Sequence, residues 1–163
     1  MEGGQKLLSQ GYQLLSEGDY KKALSKFEKA IKEDPDNPDA YFGKAEAGLL
    51  IPKVTSEEIH AAYSKAIELD PDNAYYLSSL GAFCIEEGRF NDAEQAYNRA
   101  AELDSDNASN YYSEFAVSYY QRAPEVHEQF LDEQGLRIIK KKALQYMLKS
   151  LGMSEDDAKD ILG

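Results

Sequence analysis

The sequence predicts an all-α fold in which helical pairs stack side by side into a solenoid, and three observations carry that expectation. A short phrase recurs as Glu33-Asp-Pro-Asp-Asn37, Leu69-Asp-Pro-Asp-Asn73 and Leu103-Asp-Ser-Asp-Asn107, its asparagines 36 and then 34 positions apart. Just ahead of the first and third phrases stand small–aromatic–small triplets, Ala23, Phe27, Ala30 and Ala93, Tyr97, Ala100, whose spacings of 4 and 3 put each triplet on one helix face. Ala, Leu, Glu and Lys dominate the composition, and all four are strong helix formers. Hydrophobic residues make up 42% of the chain, enough to support a core.

The first period, residues 4–37, reads as two helices around Gly18-Asp-Tyr20, the first carrying Leu7, Gly11 and Leu14 and the second the triplet. Pro35 and Pro71 stop the helices before them, because proline lacks the N–H that a continuing helix needs. Asn37, Asn73 and Asn107 are then placed to cap the next helices, and Pro38 stands where a first-turn proline is tolerated. In the second period, residues 38–73, the inter-helix linker Ile51–Ser56 is two residues longer. Ile59 replaces a small residue there, and Thr55 with Glu58 forms the signature of a capping box. The third period, residues 74–107, repeats the first with Gly81, Gly88-Arg-Phe90 and its own triplet. A divergent fourth unit, residues 108–134, begins with a helix over 108–122 that is expected to end before Pro124. It carries the bulky Phe115 where its predecessors have Gly or Ala. In residues 135–163 the apolar positions Leu136, Ile139, Ala143, Leu144, Met147, Leu148 and Leu151 form one helical stripe, with Arg137, Lys140, Lys141, Lys142 and Lys149 on the other face. This segment reads as a capping helix, followed after Gly152 by a short helix opened by Ser154.

These triplets, paired small residues and asparagine-rich turns resemble the tetratricopeptide repeat, a helix–turn–helix of about 34 residues. The resemblance covers residues 4–123 and implies a right-handed α-α superhelix of three full repeats, a divergent fourth and C-terminal capping helices. It also implies that the first helix of each repeat lines a concave groove holding another polypeptide. Carried onto this chain, the groove-facing candidates are Tyr12, Phe42, Glu46, Tyr75, Ser78, Tyr112 and Tyr119, while Tyr41, Tyr63, Tyr97 and Tyr111 fall at core positions. Some relatives hold an acidic C-terminal tail with basic groove residues. The matching positions here are Leu8, Tyr12, Gly43, Tyr75 and Ser79, none of them basic, so a carboxylate clamp is not expected. The implied role is a protein–protein interaction module for an apolar peptide or helix of some basic character. The alternative is a structural protein that assembles as a homo-oligomer, its C-terminal helix capping the array or exchanging between copies.

Other chemistries find little support. The net charge is −12, with 12 basic residues against 22 acids over residues 1–123 and 6 against 8 over residues 124–163. An acidic body repels phosphate backbones, which argues against nucleic acid. His60, His127 and Cys84 lie far apart in sequence and form no metal-ligand or nucleophile pattern, so neither a metal, a cofactor nor an enzymatic activity is expected. Cys84 sits at a packing position and reads as a buried thiol. The first residues hold no apolar stretch of signal-peptide length, and no run approaches the length of a membrane span. The expectation is a cytoplasmic protein with no membrane partner.

Overall fold

The computed structural model describes residues 2–162, and among them every regular element is helical. The order is α1 (Glu2–Ser16), α2 (Tyr20–Glu33), α3 (Pro38–Gly48), α4 (Ser56–Leu69), α5 (Ala74–Glu86), α6 (Phe90–Leu103), α7 (Ala108–Val126), α8 (Glu133–Ser150) and α9 (Glu155–Leu162). The chain forms two compact units, Met1–Tyr76 and Leu77–Gly163, with the boundary inside α5.

The repeated phrase does the same work three times. Asp34, Asp70 and Asp104 end α2, α4 and α6, their N–H groups bonding the carbonyls of Ala30, Ala66 and Ala100 at 2.9, 3.0 and 2.9 Å. The asparagines differ from expectation. Only Asn73 caps as predicted, its Oδ1 accepting from the N–H of Tyr76 at 3.2 Å. Asn37 makes no side-chain cap bond, and Asn107 spends its amide on the Asp104 carboxylate at 3.0 and 3.1 Å. At φ −106, ψ 9 its backbone is not in the extended conformation from which a cap side chain reaches the next turn.

In the first unit α1 packs along α2, α2 along α3 and α3 along α4. Phe27 of α2 is fully buried, and its ring lies between two glycines. A Cβ on Gly11 of α1 would come within 2.7 Å of Cε1, and one on Gly43 of α3 would meet the same ring atom. Burying such a side chain stabilises by about 1.5–3 kcal/mol, but only where the backbones let it in. Gly18 adopts φ 82 in the α1–α2 turn, a left-handed conformation that costs glycine little. Thr55 and Glu58 form the predicted capping box: Thr55 Oγ1 accepts from the Glu58 N–H at 3.2 Å and Glu58 Oε2 from the Thr55 N–H at 2.9 Å. Ile59 is buried despite its bulk because Gly48 faces it; a Cβ there would stand 3.2 Å from Ile59 Cγ1.

The second unit repeats this packing with Tyr97 on Gly81 and Gly88 in the turn at φ 72. Its fourth pair departs from the predicted one. α7 runs through Pro124 to Val126. Proline there removes one backbone bond, but buried Ala123 and the clamp of Arg122 onto the Glu86 carbonyl (3.0 and 3.3 Å) hold the last turn. α8 then packs along α7. Its buried residues are Ile139, Ala143 and Tyr146, so its inner face keeps two positions of the expected stripe, adds Tyr146 and leaves Leu144 and Leu151 exposed. Tyr41 and Tyr111 are half-buried rather than core, whereas Tyr63 and Tyr97 are fully enclosed.

Candidate functional site: two aromatic surfaces

Four of the seven sequence candidates come together in the first unit. α1 supplies Tyr12, α3 supplies Phe42 and Glu46, and Tyr75 stands at the start of α5. Phe42 is the hub: its ring stacks on Tyr76 at 4.7 Å, meets Tyr63 edge-on at 5.8 Å and tilts against Tyr75 at 5.3 Å. It is only 4% exposed, so it acts as the floor of the surface rather than its contact face. Tyr75, at 63% exposure, is the accessible ring. Tyr12 lies edge-on to Phe27 at 5.0 Å and donates its hydroxyl to the Asp39 carbonyl at 3.0 Å.

Two carboxylates sit among these rings. Glu46 accepts from the Tyr63 hydroxyl at 2.5 Å, and the Asp39 carboxylate accepts from the Tyr76 hydroxyl. Burial first, and then the neighbouring acids, hold the hydroxyls of Tyr12, Tyr63 and Tyr76 well above the ordinary tyrosine pKa. They are therefore neutral donors under any ordinary condition, and they point Asp39 and Glu46 into place. Asp39 shares its groove-facing repeat position with Tyr75, whereas Tyr76 was not among the sequence candidates and carries no groove-facing signal, because it follows an exposed residue on the same helix.

In the second unit Tyr112 and Tyr119 lie on α7 beside α8, and Ser78 is half-buried on α5. Tyr119 is 7% exposed, stacked on Phe115 at 5.5 Å and meeting Phe90 edge-on at 5.2 Å. Its ring carries Lys142 at 5.8 Å, and Tyr112 carries Lys149 at 5.0 Å. Lys142 is paired with Glu94 at 2.6 Å, and the Tyr146 hydroxyl donates to the same carboxylate at 2.8 Å. Both tyrosines thus already have cations over their faces. Beside Tyr119 lies a polar cleft that includes Arg89 and His127, with Arg89 bound to Asp92 at 2.6 Å. Cys84 is buried, and that burial pushes its thiol up to about 11, an inert state near neutrality. Among the described residues no group of three or more His, Cys, Asp or Glu is placed to hold a metal ion. Among the same residues no helix is long and apolar enough to cross a membrane.

The family described as TPR repeat matches residues 11–48, and that described as Tetratricopeptide repeat matches residues 62–95. The chain carries tetratricopeptide repeats. Solved structures agree with that fold along most of the chain. MamA matches with a TM-score of 0.71 at 20% identity, over 96% of this chain and 81% of that one. The first TPR of Spaghetti (RPAP3) bound to HSP90 peptide SRMEEVD matches at 0.64 and 22% identity, over 72% and 93%. The pilF protein of Pseudomonas aeruginosa matches at 0.62 and 22% identity, over 93% and 68%. At these identities the likeness establishes the fold of tetratricopeptide hairpins and nothing finer. Among curated proteins no sequence matches this one.

Proposed function

We propose that this tetratricopeptide-repeat chain is a non-catalytic protein–protein interaction module that binds an apolar peptide or helix of some basic character. The contact surface is that of Tyr12, Asp39, Glu46 and Tyr75 over the Phe42 floor. The observation that carries this reading is the pairing of an exposed aromatic ring, Tyr75, with two carboxylates held by neutral tyrosine hydroxyls. An aromatic ring offers area at little entropic cost, and fixed carboxylates select a cationic partner over an anionic one. A related fold holds the acidic peptide SRMEEVD. Such a ligand would meet Asp39 and Glu46 here, a like-charge encounter that disfavours it. Exchange of the C-terminal helix between copies would have to break the packing of α8 along α7.

The test is fluorescence anisotropy with two labelled peptides of matched hydrophobicity, one carrying lysines and the other glutamates. The lysine peptide should bind more tightly, and Tyr75→Ala with Glu46→Gln should weaken it by about tenfold, within the range of about 1–2 kcal/mol typical of an exposed aromatic anchor and its charge. Equal binding of both peptides, or indifference to the double substitution, would refute the assignment.

A further inference from the structure

We propose that the outer face of the α7–α8 pair is a second docking surface, for an acidic amphipathic helix of a partner protein. The surface arises from the way α8 is turned against α7. Because Ile139, Ala143 and Tyr146 turn inward, Leu144 is left 59% exposed, with Met147 half-buried beside it. α7 contributes Val117 and Tyr120, each 45% exposed, to the same cleft of about 260 Å³. Leu144 continues into a second, almost wholly apolar cleft of about 360 Å³ with Leu148 and Ala158. A continuous apolar strip of this length suits one helix laid along it.

Charge selects the kind of helix. The chain is acidic overall, yet α8 carries five basic residues against one acid. Three of the five are engaged: Arg137 with Glu133, Lys142 with Glu94, and Lys149 over Tyr112 and Tyr146. The remaining two, Lys140 and Lys141, are exposed, and each lines one of the clefts. Among the described residues no ion pair holds either. Two unneutralised lysines rimming an apolar strip complement a helix whose polar flank is acidic.

One acidic helix of the chain itself already lies against α8, bonded there to Gln145 rather than to a lysine. α9 carries Glu155, Asp156, Asp157 and Asp160, and it lies against α8 with Ala158 in the second cleft. Glu155 Oε1 accepts from Gln145 Nε2 at 2.6 Å. α9 has only eight residues and covers the Leu148 side, leaving Val117 and Tyr120 open. A longer helix of the same character would cover both. This surface has the opposite charge preference to the Tyr75 surface, so the two proposals stand or fall separately.

The probe is a labelled amphipathic peptide of about 18 residues, long enough to hold helix, with leucines at helical spacing and glutamates elsewhere. A second probe replaces its glutamates with lysines. Titrated into the full chain, the glutamate peptide should bind at least about tenfold more tightly than the lysine peptide, and less tightly as salt rises. Leu144→Glu, and separately Lys140→Glu with Lys141→Glu, should each weaken it by about tenfold, while Tyr75→Ala leaves it unchanged. Leu144 is exposed, so circular dichroism should show native helix content. If Leu144→Glu lowers it, the lysine pair alone decides. Equal binding of the two peptides, no binding of the glutamate peptide, or binding indifferent to the lysine pair overturns the proposal. So does self-association of the full chain that Leu144→Glu abolishes, since the occupant would then be a second copy.

Discussion

Gly43→Ala isolates the packing logic of the repeat from helix propensity, because the two predict opposite signs. In a helix interior alanine is favoured over glycine by about 1 kcal/mol, so propensity alone makes this substitution stabilising. The geometry says otherwise. A Cβ on Gly43 would meet three atoms of the Phe27 ring, standing 2.5 Å from Cζ and 2.6 Å from Cδ1. The ring has no retreat, since Gly11 closes on its Cε1 and Cζ from α1, and Phe27 is fully buried. Relief therefore requires α3 to move off α2, at the overpacking cost of about 1–3 kcal/mol or more. Set against the propensity gain, a net destabilisation of about 1–2 kcal/mol is expected, read as a lower urea midpoint with unchanged slope. Phe27→Leu in the same background should restore part of the loss, giving a coupling of about 0.5–3 kcal/mol in a double-mutant cycle. A Gly43→Ala variant as stable as the parent or more so, or strict additivity with Phe27→Leu, would refute the reasoning.

Two further outcomes follow from the buried tyrosines and from the Thr55 cap. Tyr12, Tyr63, Tyr76, Tyr97 and Tyr146 all have folded pKa values raised above the unfolded value of about 10, so stability is full below that pH and declines as pH rises beyond it. In an ultraviolet titration these five should ionise only together with loss of helical signal, and early ionisation of Tyr63 or Tyr97 in the folded chain would contradict their burial. Thr55→Ala should cost about 1 kcal/mol by removing the hydroxyl that caps Glu58, while Thr55→Ser restores most of it; thermal unfolding followed by circular dichroism reads both.

Local chemistry with few competitors was legible in the sequence. A proline or a small–aromatic–small triplet constrains its own neighbourhood, and the helix ends at Asp34, Asp70 and Asp104, the capping box at Thr55 and the Gly18 and Gly88 turns stand where they were expected. The asparagine caps were less legible: Asn73 and Asn107 both donate their amides to the aspartate three residues before, and the backbone at Asn107, not its side-chain chemistry, keeps it from also capping. The aromatic surface of the first unit was legible in membership and not in depth. Tyr12, Phe42, Glu46 and Tyr75 do gather, but a repeat position specifies the direction of a side chain and not what covers it. Phe42 is covered by Tyr75 and Tyr76, as Tyr119 is by Phe115 and Phe90.

The rotation of α8 shows why its partner surface could not be read in advance. The expected stripe is wide enough for two inner faces, one centred on Leu144 and Leu148 and one on Ile139, Ala143 and Tyr146, the last of which the stripe left out. What decides between them lies on other helices. Phe115 stands where Gly11 and Gly81 stand in earlier repeats, and it reverses the size pattern of the facing helix. α8 has Ala143 at the middle of its buried 4-and-3 spacing, where α2 and α6 place an aromatic ring. Tyr146 then packs edge-on to Phe115 at 4.6 Å, and its hydroxyl is satisfied by Glu94 and Asn98 at 2.8 Å each. A leucine in that place would leave Glu94 with only Lys142, a lost hydrogen bond to a partly buried carboxylate. Tyrosine is therefore drawn in and leucine left out. The exposed Leu144 strip is the consequence of one bulky residue on α7, which gives this surface an origin in packing that its affinity for an acidic helix can now test.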